Sequence, residues 1–168
     1  MTPSPSTEPN RAERAQSQGE KFLTFVLGSE EYGLEILKVQ EIVGILPITR
    51  IPRTPAFVRG VVNLRGKVVP VMDLRERLGM SQEGAQELCI VFVQVHGMLL
   101  GIVVDRVSEV VTIPDKDIAP TPQFGVGVHV DYLLGVANSG GRVRLLIDLD
   151  RALGREELEG LTPPAHAV

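Results

Sequence analysis

The sequence predicts an all-β fold: two copies of one five-strand unit, each closed into a β-barrel, with a few short helices. Three observations carry that prediction. Brief Val, Ile, Leu and Phe runs, separated by Gly, Pro and charged residues, fill the chain from about residue 20 to residue 158, as many short strands would. The segment FVRGVVNLRGKVVPVMDLRERLG (57–79) aligns without a gap on YLLGVANSGGRVRLLIDLDRALG (132–154), an offset of 75 residues. Earlier in each half, KVQEIVGI (38–45) aligns on RVSEVVTI (106–113) at an offset of 68. The two blocks keep their order, and the second half holds seven extra residues between them.

The predicted strands are Phe22–Leu27, Glu31–Ile36, Val43–Pro47, Gly60–Leu64 and Lys67–Met72 in the first half. In the second half they are Leu88–Val95, Met98–Val104, Glu109–Thr112, Leu133–Asn138 and Val143–Ile147. So many short strands in one small chain favour closed or nearly closed barrels, which remove exposed sheet edges. A helical turn is expected at Leu37–Glu41, leading out of a strand. Another is expected at Leu74–Leu78, where Asp73 can cap the first-turn amides, Glu76 stands three residues on and Gly79 supplies a stop. The same arrangement recurs as Asp148, Leu149–Leu153 and Gly154. Between aligned strands, Asn63-Leu64-Arg65-Gly66 and Asn138-Ser139-Gly140-Gly141 mark hairpin turns, whose glycines supply positive φ.

A five-strand unit of some 60 residues buries only about 60% of its unfolded surface and is marginal alone. The halves are therefore expected to pack on each other through an apolar seam. The resulting organisation is a disordered tail over 1–19, a two-barrel domain over 20–158 and a C-terminal tail over 159–168. The two halves, packed or intertwined, change over near 80–87. Residues 1–19 are rich in Ser, Pro, Glu, Arg and Gln without apolar periodicity, and the last eight residues, LTPPAHAV, read as a short frayed end.

Composition narrows the function. Hydrophobic residues make up 43% of the 168-residue chain and charged residues 23%, a soluble globular balance. No run approaches the 18 or so apolar residues of a membrane span, and residues 1–20 lack the apolar core of a signal peptide. The single cysteine, Cys89, forms no internal disulfide and sits in the apolar run LCIVFVQV, where a buried, inert thiol is expected. A reducing, cytoplasmic setting follows.

No catalytic or metal constellation emerges. His96, His129 and His166 are scattered, with no H-x-x-x-H, C-x-x-C or H-E-x-x-H spacing. NLRGK lacks the phosphate-loop spacing and leads into a strand, and FGVGVHV (124–130) lacks the third glycine of a dinucleotide loop. Asp73 and Asp148 are explained as caps. No cofactor is expected. Between Ile42 and Met72, however, there is no acidic residue, while Arg50, Arg53, Arg59, Arg65 and Lys67 supply five positive charges that the second half does not repeat. This cluster is either an ordinary solvated face or a surface for a protein partner, because arginine presents a planar fork suited to carboxylates. Nucleic acid fits it poorly. The chain carries a net charge of -4, and Phe57 is the only aromatic residue among those arginines.

Four segments carry a resemblance to a known family: LGSEEYGLEILKVQEI (27–42), TPAFVRGVVNLRGKVVPVMDLRERLG (54–79), GIVVDRVSEV (101–110) and LLIDLDRALG (145–154). Together they resemble the CheW family of chemotaxis coupling proteins, over about residues 20–158. The resemblance implies two five-stranded SH3-like β-barrels. It also implies a non-catalytic adaptor that joins the cytoplasmic tip of methyl-accepting chemotaxis receptors to the regulatory domain of a CheA-type histidine kinase. Such a protein is cytoplasmic, recruited to membrane-associated receptor arrays without inserting into the membrane.

By the same resemblance, Val39, Glu41 and Ile42 belong to the groove side of the first barrel. Gly60 and Arg65 match the glycine and arginine of the G-x-x-N-L-R-G motif used in binding kinase or receptor, and Phe124 matches an aromatic at a kinase–adaptor contact. Structural roles suit several of these residues equally: Val39 and Ile42 as core, Gly60 as relief of backbone crowding, Phe124 as packing for its own loop. No receiver-like segment is expected after residue 158, nor any phosphotransfer or ATP-binding domain. The alternatives are a small β-barrel enzyme, which needs a convergent titratable pocket, and a nucleic-acid-binding barrel, which needs salt-sensitive affinity.

Overall fold

The computed structural model describes residues 19–121 and 132–159. Phe124, His129, His166 and nearly all of both tails lie outside the described residues. Five strands precede residue 80: β1 (Glu20–Leu27), β2 (Glu30–Glu35), β3 (Val39–Gly44), β4 (Val58–Leu64) and β5 (Lys67–Asp73). Six follow: β6 (Cys89–Val95), β7 (Met98–Val104), β8 (Arg106–Ile113), β9 (Ile118–Ala119), β10 (Leu133–Ser139) and β11 (Arg142–Ile147). Three short helices complete the set: α1 (Leu74–Arg77), α2 (Leu149–Ala152) and α3 (Arg155–Glu159).

The strands build two sheets, ordered β8-β1-β2-β11-β10-β9 and β3-β6-β7-β5-β4. Aligned through the sequence repeat, β1 to β5 correspond to β6, β7, β8, β10 and β11. Each sheet therefore takes its first hairpin from one half of the chain and the rest from the other. The joints match as well: β2 runs parallel to β11, and β7 runs parallel to β5. Both sheets curl into the SH3-like barrel halves expected of the fold. The curling is visible in the second sheet, where β3 and β4 are opposite edges yet Arg65, in the β4–β5 turn, reaches Glu41 on β3. Repeat-equivalent contacts recur in detail. The Asp73 amide donates to the Phe57 carbonyl at 2.6 Å and the Asp148 amide to the Tyr132 carbonyl at 2.7 Å.

Three apolar clusters follow from this plan. The largest is the seam, where Leu23, Phe25 and Leu34 of β1–β2 meet Val91, Val93 and Ile102 of β6–β7, with Leu74 and Leu149 from the helices. The barrel containing β3–β7 is filled by Val62, Leu64, Val69, Val71, Ile90, Phe92 and Val103. Among the described residues, the buried apolar filling of the other barrel is Phe22, Ile113, Ala137 and Leu146, with Val111 and Ile118 packed against them. Each such burial is worth roughly 1.5–3 kcal/mol for a large aliphatic or aromatic side chain, so the seam and the first barrel dominate stability.

Polar locks hold the exchanged hairpins. Asp105, at the crossover from β7 to β8, accepts from the Gly28 amide at 2.8 Å and from the Gln86 and Glu87 amides at 3.2 and 3.3 Å. It also pairs with Arg75 of α1 at 2.5 Å, with both side chains almost fully buried. Burial alone would raise the Asp105 pKa, but the Gly28 and Glu87 amides and the Arg75 guanidinium outweigh it and hold the carboxyl below its usual range. The equivalent lock has its charges reversed. Asp150 of α2 accepts from the His96 amide at 3.0 Å and from Lys38 at 2.7 Å. Lys38 lies at the crossover from β2 to β3, opposite Arg106 in the repeat.

Most expected local signals appear. Asp73 caps α1 by accepting from the Glu76 amide, and Asp148 caps α2 by accepting from the Asp150 and Arg151 amides. Gly79 adopts φ +73 after α1. Arg65 and Gly66 (φ +51 and +88) and Gly140 and Gly141 (φ +63 and +77) form the two-residue turns with both φ positive that suit a twisted hairpin.

Several expectations need correction. The helical turn at Leu37–Glu41 is a short 3-10 turn at Ile36–Lys38, and the strand placed at Val43–Pro47 begins at Val39 and ends at Gly44. The β-branched Val39, Ile42 and Val43 pair with β6, a non-local ladder that overrides the helical look of Leu, Lys and Glu. The strand expected over Glu109–Thr112 runs from Arg106 to Ile113. The two-residue β9, which pairs with β10, was not anticipated. Gly154 does not take positive φ, since α2 ends in the extended residue Leu153. Cys89 is half-buried at the start of β6, where it packs against the seam core.

Candidate functional site

Of the six residues singled out from sequence, five lie within the described region, and all five belong to the barrel built on β3–β7. Strand β3 alternates strictly, with Val39, Glu41 and Val43 half-buried and Gln40, Ile42 and Gly44 exposed. Val39 pairs with Val93 and packs against the seam core, the structural role open to it from sequence. Ile42 is 42% exposed and so is not a core residue. It lies on the outward face of β3, an edge strand of its sheet.

Glu41 and Arg65, 24 residues apart in sequence, come together as a two-pronged ion pair. Arg65 Nη1 donates to Glu41 Oε2 at 3.0 Å, and Nη2 donates to Oε1. The hydrogen bonds from Arg65 lower the Glu41 pKa, and those to Glu41 raise that of Arg65. Arg65 is still 69% exposed along its side chain. Its backbone occupies the left-handed region, uncommon for a residue with a Cβ, and the equivalent turn position is Gly140.

Gly60 has a structural reason of its own. It sits at a register shift between β4 and β5 with φ +144, and a Cβ there would lie 2.1 Å from the Thr49 carbonyl oxygen. This close approach seats the Thr49–Val61 bridge that helps close the barrel, through backbone hydrogen bonds of 2.8 and 2.9 Å. Gly135 marks the same shift in the other barrel.

The basic cluster divides. Arg59 is held by Glu87 at 2.8 and 3.1 Å and approaches Asp73 at 3.6 Å, and Arg65 is held by Glu41. Arg50 and Arg53 remain exposed beside a cleft of about 330 Å³ that Arg59 also lines. Exposed apolar residues flank the Arg65 hairpin and recur by the repeat: Ile42 and Val68 on one barrel, Val110 and Val143 on the other. Sequence reasoning missed the Glu41–Arg65 pair because it depends on barrel closure. Its available signal was the lone arginine facing Gly140 in the repeat. Among the described residues, no three metal-ligating side chains converge, and no helix is long and apolar enough to cross a membrane.

A CheW-like domain matches residues 21–157, nearly the whole described chain. The chain belongs to the CheW-like family. It is 43% identical to the chemotaxis protein CheW of Klebsiella aerogenes, over 85% of this chain and 87% of that one. It is 36% identical to protein FrzA of Myxococcus xanthus, over 79% and 84%. Among solved structures, the scaffolding protein TtCheW of Thermoanaerobacter tengcongensis superposes with a TM-score of 0.73 at 34% identity, covering 82% of this chain and 94% of that one. The two-barrel architecture and the chemotaxis scaffold family are thus established together.

Proposed function

We propose that this protein is a non-catalytic adaptor that couples methyl-accepting chemoreceptors to a CheA-type histidine kinase in the cytoplasm, at membrane-associated receptor arrays. The observation that carries this reading is the β3 edge. There an exposed apolar residue, Ile42, stands beside a guanidinium fixed by Glu41 and held out on a strained turn. Apolar anchors beside arginine are the composition of protein–protein contacts, and a residue kept in an unfavourable backbone region points to a use outside the fold.

In this reading Val39, Glu41, Ile42, Gly60 and Arg65 form one binding region, with Phe124 at a second contact. Val39 and Gly60 serve it indirectly, by setting the position of β3 and of the β4–β5 hairpin. Signal passes as a conformational bias transmitted through contacts, without a cofactor or a bond-making step. The test is calorimetry of the full chain against an isolated kinase regulatory domain and against a receptor hairpin-tip fragment. Saturable binding to both is expected. Binding to neither would overturn the reading, and salt-sensitive binding to DNA or RNA instead would favour a nucleic-acid role.

A further inference from the structure

The basic stretch between Ile42 and Met72 is only partly used inside the molecule. Arg65 is held by Glu41 and Arg59 by Glu87. Arg50 and Arg53 are exposed and pair with no acidic side chain among the described residues. Both lie in the connection from β3 to β4, and with Arg59 they line the cleft of about 330 Å³ whose walls include Ile51, Pro52 and Pro55. The fold does not demand basic residues here. After β8, the strand equivalent to β3, the chain continues Pro114-Asp115-Lys116-Asp117.

The loop that carries the two arginines is pinned along its length. The Thr49–Val61 bridge ties it to β4, the Val58 amide donates to the Pro55 carbonyl at 3.0 Å, and the Thr54 hydroxyl donates to the Ile51 carbonyl at 2.9 Å. The last contact closes a turn with Pro52 second and Arg53 third. Arg53 takes φ +63 there, at a position where glycine or asparagine is favoured. The cleft also shows what its chemistry holds. Arg59 grips the Glu87 carboxylate from the linker between the halves with both prongs, Nη1 to Oε1 at 2.8 Å and Nη2 to Oε2 at 3.1 Å. With Arg59 so neutralised, the open guanidiniums of Arg50 and Arg53 keep the cleft basic on a chain of net charge -4.

We propose that this cleft docks an acidic segment of a protein partner, an extended stretch whose glutamate or aspartate carboxylates sit on Arg50 and Arg53 and whose aliphatic side chains lie on Ile51 and the flanking prolines. The planar fork of arginine matches carboxylates two-pronged. A loop already pinned by hydrogen bonds and prolines loses little freedom on binding. Nucleic acid is the poorer occupant. Phe57, the only aromatic residue of the stretch, is 7% exposed and covered by the Arg77 guanidinium at 5.1 Å, so no ring is open for a base to stack on. The inference does not rest on the coupling role.

The experiment titrates the full chain into a fluorescently labelled peptide of glutamates interrupted by leucines, read by anisotropy, with the glutamine version of the peptide as control. Saturable binding of the acidic peptide alone is expected, weakening as salt is added. Arg50→Ala with Arg53→Ala should weaken it at least about tenfold. Lys67→Ala with Lys116→Ala removes the same charge from exposed positions outside the cleft and should leave it nearly unchanged. Arg53→Gly suits the positive φ, so it should unfold no earlier than wild type and still bind the peptide more weakly. Equal binding of the glutamine peptide, or equal losses in the arginine and lysine pairs, would overturn the proposal. So would tighter binding of a labelled DNA or RNA oligonucleotide, or of phosphatidylserine vesicles, that is lost in the arginine pair.

Discussion

Replacing Gly60 with alanine tests whether this motif glycine acts through the fold. At φ +144 an L-residue is strained by about 1–3 kcal/mol. The new Cβ would also lie 2.1 Å from the Thr49 carbonyl oxygen, so the 49–61 bridge must move. Its two backbone hydrogen bonds are worth about 0.5–1.5 kcal/mol each. The expected loss is therefore about 2–6 kcal/mol, a large share of the roughly 5–15 kcal/mol that stabilises a domain. Gly135→Ala is the internal control. It occupies the equivalent register shift without positive φ, and its Cβ would meet the Ala119 carbonyl oxygen less closely, at 2.8 Å. Urea unfolding followed by circular dichroism, with midpoint and slope fitted separately, should rank Gly60→Ala well below Gly135→Ala and both below wild type. A Gly60→Ala protein within about 1 kcal/mol of wild type, or a costlier Gly135→Ala, would refute the argument. Gly60 would then have to be read as a direct contact.

Three further outcomes are expected from the same structure. Asp105→Ala breaks a buried ion pair and strands three amides, so it should cost about 3–5 kcal/mol in chemical denaturation. Because the folded Asp105 carboxyl titrates below the unfolded value near 4, its stabilisation is complete above that pH. It is lost as pH falls toward the folded pKa, so the gap between wild type and Asp105→Asn should close below about pH 4. A gap unchanged down to strongly acidic pH would contradict this. Arg65→Gly copies the turn chemistry of Gly140 and should leave the unfolding midpoint unchanged or slightly raised. It should weaken binding to the kinase domain or the receptor tip about ten- to hundred-fold, and unchanged affinities for both by calorimetry would remove Arg65 from the binding region.

What could be read from sequence was what is local. Asp73 and Asp148 cap their own helices, and the Arg65-Gly66 and Gly140-Gly141 turns need only their neighbours. Long-range choices were hidden. A duplicated sequence defines the unit but not which copy supplies each hairpin, because two similar halves offer nearly equivalent partners to β1–β2 and β6–β7. The start of β3 was obscured because Leu37–Glu41 looks helical until its ladder with β6 is known. Of the candidate site, the Arg65 turn was legible from its asymmetry with Gly140, whereas its partner Glu41 required the closed barrel.

The central claim is tested most directly by co-sedimentation. Vesicles or nanodiscs bearing a receptor signalling domain are mixed with a CheA-type kinase, with and without this protein, and pelleted. The account predicts that the chain and the kinase pellet together with the receptor, that recruitment of the kinase rises sharply with this chain, and that Arg65→Gly reduces it. Kinase recruitment that is unchanged by adding the chain, with the chain itself left in the supernatant, would contradict it.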